Sequence, residues 1–173
     1  MKCIVLAAGK DKNSIEKTPK CLRMVNNKTV LDSFIDTLHN ECISNINLVG
    51  GFEILQIMEK HPDLNYFYNE RWRDTKSLYS LSKAFKAFDS SSLISYSDTI
   101  HKSERFKLIN QDKINIFYDS ENMYMTSFLK MIADNIMPLT PVYINNGWIE
   151  IDEPTDLNFG RFLQQQEMNF ASI

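Results

Sequence analysis

The sequence predicts an α/β protein, a three-layer α/β/α sandwich around a mostly parallel, twisted sheet of Rossmann-like type. Three observations carry this. Stretches of helical and strand periodicity alternate along the chain, as strand–helix–strand crossovers require. The opening run Cys3-Ile4-Val5-Leu6-Ala7-Ala8 is apolar throughout and reads as a buried strand. That run ends at Gly9, where the chain must turn into a loop.

Each element follows from its own pattern. Residues 2–7 form the first strand. Residues 30–40 form a helix, because Leu31, Phe34, Ile35 and Leu38 recur at helical spacing. Residues 46–49 form a short strand ending at Gly50-Gly51, and residues 53–60 a helix stopped by Pro62. Residues 64–68 form the third strand, with Tyr66, Phe67 and Tyr68 read as core packing rather than a base-stacking platform. Residues 76–88 form a helix with Leu78, Leu81, Phe85 and Phe88 on one face, leaving through Asp89-Ser90-Ser91-Ser92. Residues 92–97 are the fourth strand and 114–118 a fifth. Residues 123–135 form a helix through Phe128, Leu129 and Ile132. Residues 139–144 form a strand that Pro141 confines to an edge. Residues 148–151 are the last strand, and Pro154 opens a closing helix over 154–168.

Composition narrows the function classes. The 173 residues fit a single domain, with no internal repeat or linker. A net charge of −3 gives no electrostatic case for nucleic acid as partner. Cys3, Cys21 and Cys42 are odd in number and lack C-x-x-C spacing, so reduced thiols in a cytoplasmic protein are expected, not a zinc site or a disulfide framework. The first strand follows Met1 closely and no apolar stretch is membrane-length, so neither a signal peptide nor a membrane partner is expected. His39, His61 and His101 have no metal spacing and read as structural. Met123, Met125 and Met131 read as gap-fillers in packing.

In a parallel sheet with right-handed crossovers, the strands' C-terminal ends share one edge, and ligands bind there. The segments after Ala8, Tyr68 and Ser97 should therefore converge. Ala7, Ala8 and Gly9 let main-chain N–H groups approach an anion, and Gly9 can take a positive φ. Lys20, in Pro19-Lys20-Cys21-Leu22, adds a mobile positive charge. Strand, loop and lysine together make a nucleoside triphosphate site, with Leu6, Ala7, Ala8, Gly9 and Lys10 as nucleotide-binding candidates.

This opening resembles the L-A-A-G-x-G-x-R…P-K signature of the sugar-phosphate nucleotidyltransferase superfamily. Asp11 stands here for the second Gly and Asn13 for the Arg. Two further segments resemble its choline-phosphate and aminoalkylphosphonate cytidylyltransferase branch. After the third strand, Asn69, Trp72, Thr75, Ser80 and Leu81 fall on that branch's Asn, Trp/Tyr, Thr-Asn and Ser-Leu pattern, with Lys76 where Asn is usual. Helix capping by Thr75 or Asp74 is the structural alternative for part of this segment. Near the end, Trp148-Ile149-Glu150-Ile151-Asp152 matches a W-x-E/D-x-D ending. Between them, Ser97-Asp98 stands where the superfamily has a magnesium-binding G-D. On position alone a strand-end residue such as Asp98 is more often a turn or cap residue, a balance the opening motif shifts toward metal, and Asp152 or Glu153 reads also as a cap for the helix at Pro154.

The resemblance implies nucleotidyl transfer from an NTP to a small phosphorylated or phosphonylated acceptor, with loss of pyrophosphate. It implies Lys20 as the catalytic cation and Mg²⁺ held by Asp98, Glu150 and Asp152, the last two on one face of a strand by alternation. Asn69, Thr75 and Ser80 would line the nucleotide, with CTP favoured. Trp72 and Tyr79 would meet the acceptor, and cation recognition by either would favour amines such as phosphocholine or 2-aminoethylphosphonate over a sugar phosphate. Asn13 lacks the guanidinium fork, and Asp11 places negative charge on the triphosphate's path, with Lys10 and Lys12 as the nearest offsets. The stretch from Thr99 to Trp148 is short beside that of relatives. The acceptor is then small, a partner subunit or homodimer completes the site, or acceptor binding is lost. Two functions stay open: an active Mg²⁺-dependent transferase, and a catalytically inactive nucleotide-binding regulatory or scaffold protein.

Overall fold

Apolar side chains on both faces of one strand need cover on both sides, and the computed structural model supplies it around β1 (Lys2–Ala7). It describes residues 1–11, 15, 17–88, 92–101, 124–135, 139 and 148–150. With β4 (Ile46–Gly50), β5 (Asn65–Tyr68) and β6 (Ser92–Tyr96), β1 forms an all-parallel sheet in the order β5–β4–β1–β6. Cys3, Val5 and Ala7 face one core with Leu31, Phe34 and Leu38 of α1 (Val30–Asn40) and Ile57 of α2 (Ile54–Lys60). Ile4 and Leu6 face the other, with Leu78 and Leu81 of α3 (Ser77–Lys83) and Phe128 and Ile132 of α4 (Met125–Asn135). Three layers and a parallel sheet follow, as the alternation predicts.

Local chemistry sets the boundaries. Thr29 starts α1 through a capping box: its Oγ1 accepts from Asp32 N (2.9 Å), and Asp32 Oδ2 accepts from Thr29 N (2.8 Å). Glu53 has φ 48°, outside the helical region, so α2 begins at Ile54. The helix expected over 76–88 stops at Lys83 and tightens into a 3₁₀ turn, Phe85–Ala87. The tighter turn breaks the 3.6-residue register, and Phe85, expected on the buried face, is exposed.

Two features go beyond the periodicity. A hairpin joins β2 (Met24–Val25) to β3 (Lys28–Thr29), and its two-residue loop puts Asn26 and Asn27 at φ 47° and 68°. Asparagine tolerates that left-handed backbone better than most residues. The strand at Trp148 is present as β8 (Trp148–Glu150), but it pairs antiparallel with β7 (Thr99–His101), apart from the main sheet. The segments expected over 114–118 and 154–168, and all but Leu139 of 139–144, lie outside the described residues.

Phe34→Ala should cost about 3–5 kcal/mol, because α1 packs that ring wholly into the core. Phe85→Ala should cost under about 0.5 kcal/mol at its exposed position. Urea midpoints of the two variants check the pair; equal losses would contradict the 3₁₀ break.

Candidate active site

The chain lays β4 and β5 on one side of β1, then crosses to add β6 on the other. Neighbouring loops diverge where a parallel sheet reverses in this way, and a crevice opens at the strands' C-terminal ends. A cleft of about 200 Å³ lies there. Leu6 to Lys10 form its floor. Lys20, Cys21, Ser97 and Asp98 form one wall, and Trp72, Thr75, Lys76, Ser77 and Ser80 the other. Main-chain bonds fix the three converging segments. Ser97 N donates to Leu6 O (3.1 Å), Phe52 N to Ala8 O (3.0 Å), and Asn69 N to Gly50 O (2.8 Å).

Gly9 does not use a positive φ, contrary to expectation. A Cβ there would meet nothing within 4 Å, so its contribution is open space over the floor. Gly51 is sterically required. A Cβ on it would stand 2.6 Å from Trp72 Cβ and 2.8 Å from Ala8 O, so only glycine lets the Trp72 segment close over the β1 loop.

Lys20 begins a 3₁₀ turn that Cys21 and Leu22 anchor in the core. Its Nζ lies 3.5 Å from Asp98 Oδ2, and the two side chains are only 21% and 15% exposed. Burial, and then the Asp98 carboxylate, push the Cys21 thiol up to about 12. Beside this wall, Arg23 Nη2 pairs with Asp11 Oδ2 at 2.8 Å, and the Arg23 side chain is nearly buried. The negative charge of Asp11 is therefore met by Arg23, which the sequence reading did not single out. Lys10, expected to help offset it, lies over the Phe52 ring, 5.2 Å from its centroid. Lys12 and Asn13 lie outside the described residues.

The segment after β5 is organised by Asn69, which is buried and does not line the cleft. Its Nδ2 donates to Thr75 Oγ1 (3.1 Å) and Ser80 Oγ (3.0 Å), and its Oδ1 accepts from Arg71 N (2.9 Å). Thr75 Oγ1 donates in turn to Arg71 O (2.8 Å). Asn69 thus braces from behind two hydroxyls that do line the cleft. Neither Thr75 nor Asp74 caps α3; the capping position is Lys76, with no side-chain bond. Tyr79 also lies off the cleft. Its ring carries Lys83 Nζ at 4.4 Å and the Arg71 guanidinium at 5.4 Å, and its hydroxyl donates to Glu70 Oε1 (3.3 Å). Lys76, Ser77 and Tyr96 are lining residues that the sequence reading did not propose. Tyr96 OH donates to Ser77 Oγ (3.1 Å), a pairing between distant segments that periodicity does not reveal.

Of the three carboxylates proposed for a metal, Asp98 lines the cleft. Glu150 is exposed and does not line it, although its strand pairs with Thr99 beside Asp98. Asp152 lies outside the described residues. Among the described residues, no cluster of three His, Cys, Asp or Glu could hold a metal.

No family model matches the chain. Over 112 residues, 62% of its length, the chain is 30% identical to the bifunctional protein GlmU of Vesicomyosocius okutanii, of which this is 25%. Over 94 residues, 51% of its length, it is 32% identical to choline-phosphate cytidylyltransferase of Haemophilus influenzae, of which this is 40%. The chain thus matches less than half the length of either curated relative. Its fold is similar to that of LicC, the CTP:phosphocholine cytidylyltransferase of Streptococcus pneumoniae, with a TM-score of 0.69 over 94% of this chain and 98% of that one, at 20% identity. The fold is that of the nucleotidyltransferase superfamily.

In this nucleotidyltransferase fold the sequence likeness extends to cytidylyltransferases. No helix among the described residues is long and apolar enough to cross a membrane.

Burial raises the Cys3 thiol, like that of Cys21, from 9.0 to about 12. Unfolded thiols ionise first as pH rises, while the folded ones keep their protons. Stability should therefore fall between about pH 9 and pH 12. Urea midpoints at about pH 8 and 10.5 check this: the drop should be smaller in Cys21→Ala, and an equal drop would contradict it. A thiol reagent at neutral pH should label exposed Cys42 quickly, and Cys3 and Cys21 only on unfolding.

Proposed function

We propose that the chain is a nucleotidyltransferase of cytidylyltransferase type. It transfers CMP from CTP to the phosphate or phosphonate of a small acceptor and releases pyrophosphate. The observation that carries this is the Lys20–Asp98 pair, 3.5 Å apart beside the open floor at Gly9. An acceptor oxygen attacks the α-phosphorus in line. The new P–O bond forms as the bond to the bridging oxygen breaks, and the electron pair leaves with pyrophosphate. The protein's task is positioning and charge compensation.

Backbone amides around Ala8, Gly9 and Lys10 cradle the triphosphate. Lys20 offsets charge on the phosphates in the transition state. Arg23 keeps Asp11 from opposing their approach. Asp98 suits a magnesium ion, since that hard cation takes one or two carboxylates and fills its other positions with phosphate oxygens and water. Glu150 and Asp152 are further candidates to hold it. The ion, when bound, neutralises phosphate charge. Two small polar substrates and the free thiols of Cys3, Cys21 and Cys42 suit a cytoplasmic setting.

The test is pyrophosphate release with Mg²⁺, across the four NTPs and a panel of phosphorylated and phosphonylated amines, polyols and sugars. Release should require CTP and an acceptor. Lys20→Ala should lower turnover at least ~10²-fold with its unfolding midpoint preserved. CTP binding without turnover on the whole panel would identify a nucleotide-binding protein that is not an enzyme. Absence of both would overturn the reading.

A further inference from the structure

The opposite edge of the sheet, where β1, β4 and β5 begin, carries a second hollow that the proposed reaction does not use. It is open, about 560 Å³ in volume, and lies against the N-terminal ends of those strands. Lys2, Asn45, Asn47, Asn65 and Lys86 supply its charged and amide groups. The strands are parallel, so this edge and the Gly9 cleft lie at opposite ends of the sheet.

The three amides are joined. Asn45 Oδ1 accepts from Asn47 Nδ2 (2.9 Å) and from Asn65 Nδ2 (3.5 Å). Asn47 Nδ2 also donates to Cys3 O (3.4 Å). Asn47 and Asn65 are register partners on adjacent strands, so their side chains leave the sheet on one face. The bonds they make use their donors. Asn47 Oδ1, Asn65 Oδ1 and the Asn45 Nδ2 donor keep no partner among the described residues.

Asn47 is the informative member. It is only 5% exposed and sits between Ile46 and Leu48, in a strand otherwise made of buried apolar residues and glycine. An apolar side chain would fill that position and leave no acceptor open. A buried polar group is costly where its bonds go unmade. Asn47 Oδ1 is not sealed in, so a molecule in the hollow can reach it and donate to it.

Charge adds the second half of the site. Lys2 Nζ donates to Ala87 O (3.4 Å), which ties the 3₁₀ turn to the start of β1 and brings Lys86 to the hollow. Lys86 is exposed and makes no ion pair among the described residues. No carboxylate lines the hollow among those residues. An available ammonium calls for an anionic group. The open amide oxygens call for O–H donors on the same molecule, and the open Asn45 donor for an acceptor, and a hydroxyl serves as both.

We propose that this hollow is a second ligand site, for a small polyhydroxylated anion: a sugar acid or a sugar phosphate. Lys86 meets the anionic group, and the ligand's hydroxyls pair with Asn45, Asn47 and Asn65. The inference stands apart from the nucleotidyl-transfer reading, which concerns the other edge of the sheet.

The test is an amide NMR titration of the full chain, read at the side-chain signals of Asn45, Asn47 and Asn65. The probes are gluconate, ribose 5-phosphate, ribose and inorganic phosphate. Gluconate or ribose 5-phosphate should shift the three signals saturably at millimolar concentration, and the tighter of the two names the anionic group. Ribose and inorganic phosphate each offer half the chemistry and should bind on the order of tenfold more weakly. Lys86→Gln should weaken binding roughly fivefold, and Lys86→Arg should keep it, since charge is the cause. Asn65→Ala, at an exposed position, should weaken it about threefold. Lys20→Ala, at the other edge, should leave it unchanged. No saturable shift with either polyhydroxylated anion would overturn the inference. So would equal affinity for inorganic phosphate, which would mean an adventitious ion only, or binding indifferent to Lys86→Gln. Shifts that vanish in Lys20→Ala would assign the probe to the other cleft and overturn it as well.

Discussion

The rest of the structure depends on the double burial of β1. The strand pairs with β4 on one edge and β6 on the other, residue by residue from Cys3 to Leu6. All its neighbours are parallel, so every connection must cross over a face of the sheet. The helices that make those crossings bury Cys3, Val5 and Ala7 on one side and Ile4 and Leu6 on the other. Beyond Ala7 the pairing ends, and the chain turns out beside Gly51 and Ser97. The cleft is the space left where these segments part.

Electrostatics then give the cleft a character that the whole chain does not have. The protein carries −3 overall, yet its cleft is lined by more ammonium groups than carboxylates among the described residues. Local order produces this surplus. Asp11 is paired with a nearly buried Arg23, and Asp98 faces Lys20. Net charge bears on long-range steering and solubility, whereas side-chain placement decides what a crevice binds. Among the described residues Lys10, on Phe52, and Lys76, on Tyr124, are held only by cation–π contacts, worth about 0.5–1 kcal/mol at exposed sites. Such contacts are weak enough for a phosphate to displace.

Periodicity made the layers legible because burial on one face leaves a repeat in the sequence. β1 and α1 were readable for that reason, and Asp98 was placed at the ligand edge by following an apolar strand to its end. Three features left no such trace. The break after Lys83 depends on a 3₁₀ turn that Leu78, Leu81 and Phe85 do not announce. The Asn26-Asn27 turn lacks the glycine that would have marked it more strongly. The inward bonds of Asn69 look in sequence like a ligand contact, because a conspicuous polar residue beside a strand end can serve the ligand or brace the wall. Trp72 and Tyr79 show the same limit: sequence supplies the ring, but only geometry shows that Arg73, Arg71 and Lys83 lie over those rings.

On the proposed function, the nucleotide occupies the space over Gly9. The most direct test is thermal unfolding of Gly9→Val with and without saturating CTP and Mg²⁺. A Cβ at Gly9 meets no heavy atom of the described residues within 4 Å and needs no positive φ, so the ligand-free midpoint should equal that of the wild type. The wild type at a hundredfold excess over its dissociation constant should gain about 2.7 kcal/mol, and the variant should gain almost none. A variant stabilised by CTP as strongly as the wild type would place the nucleotide elsewhere and contradict the account.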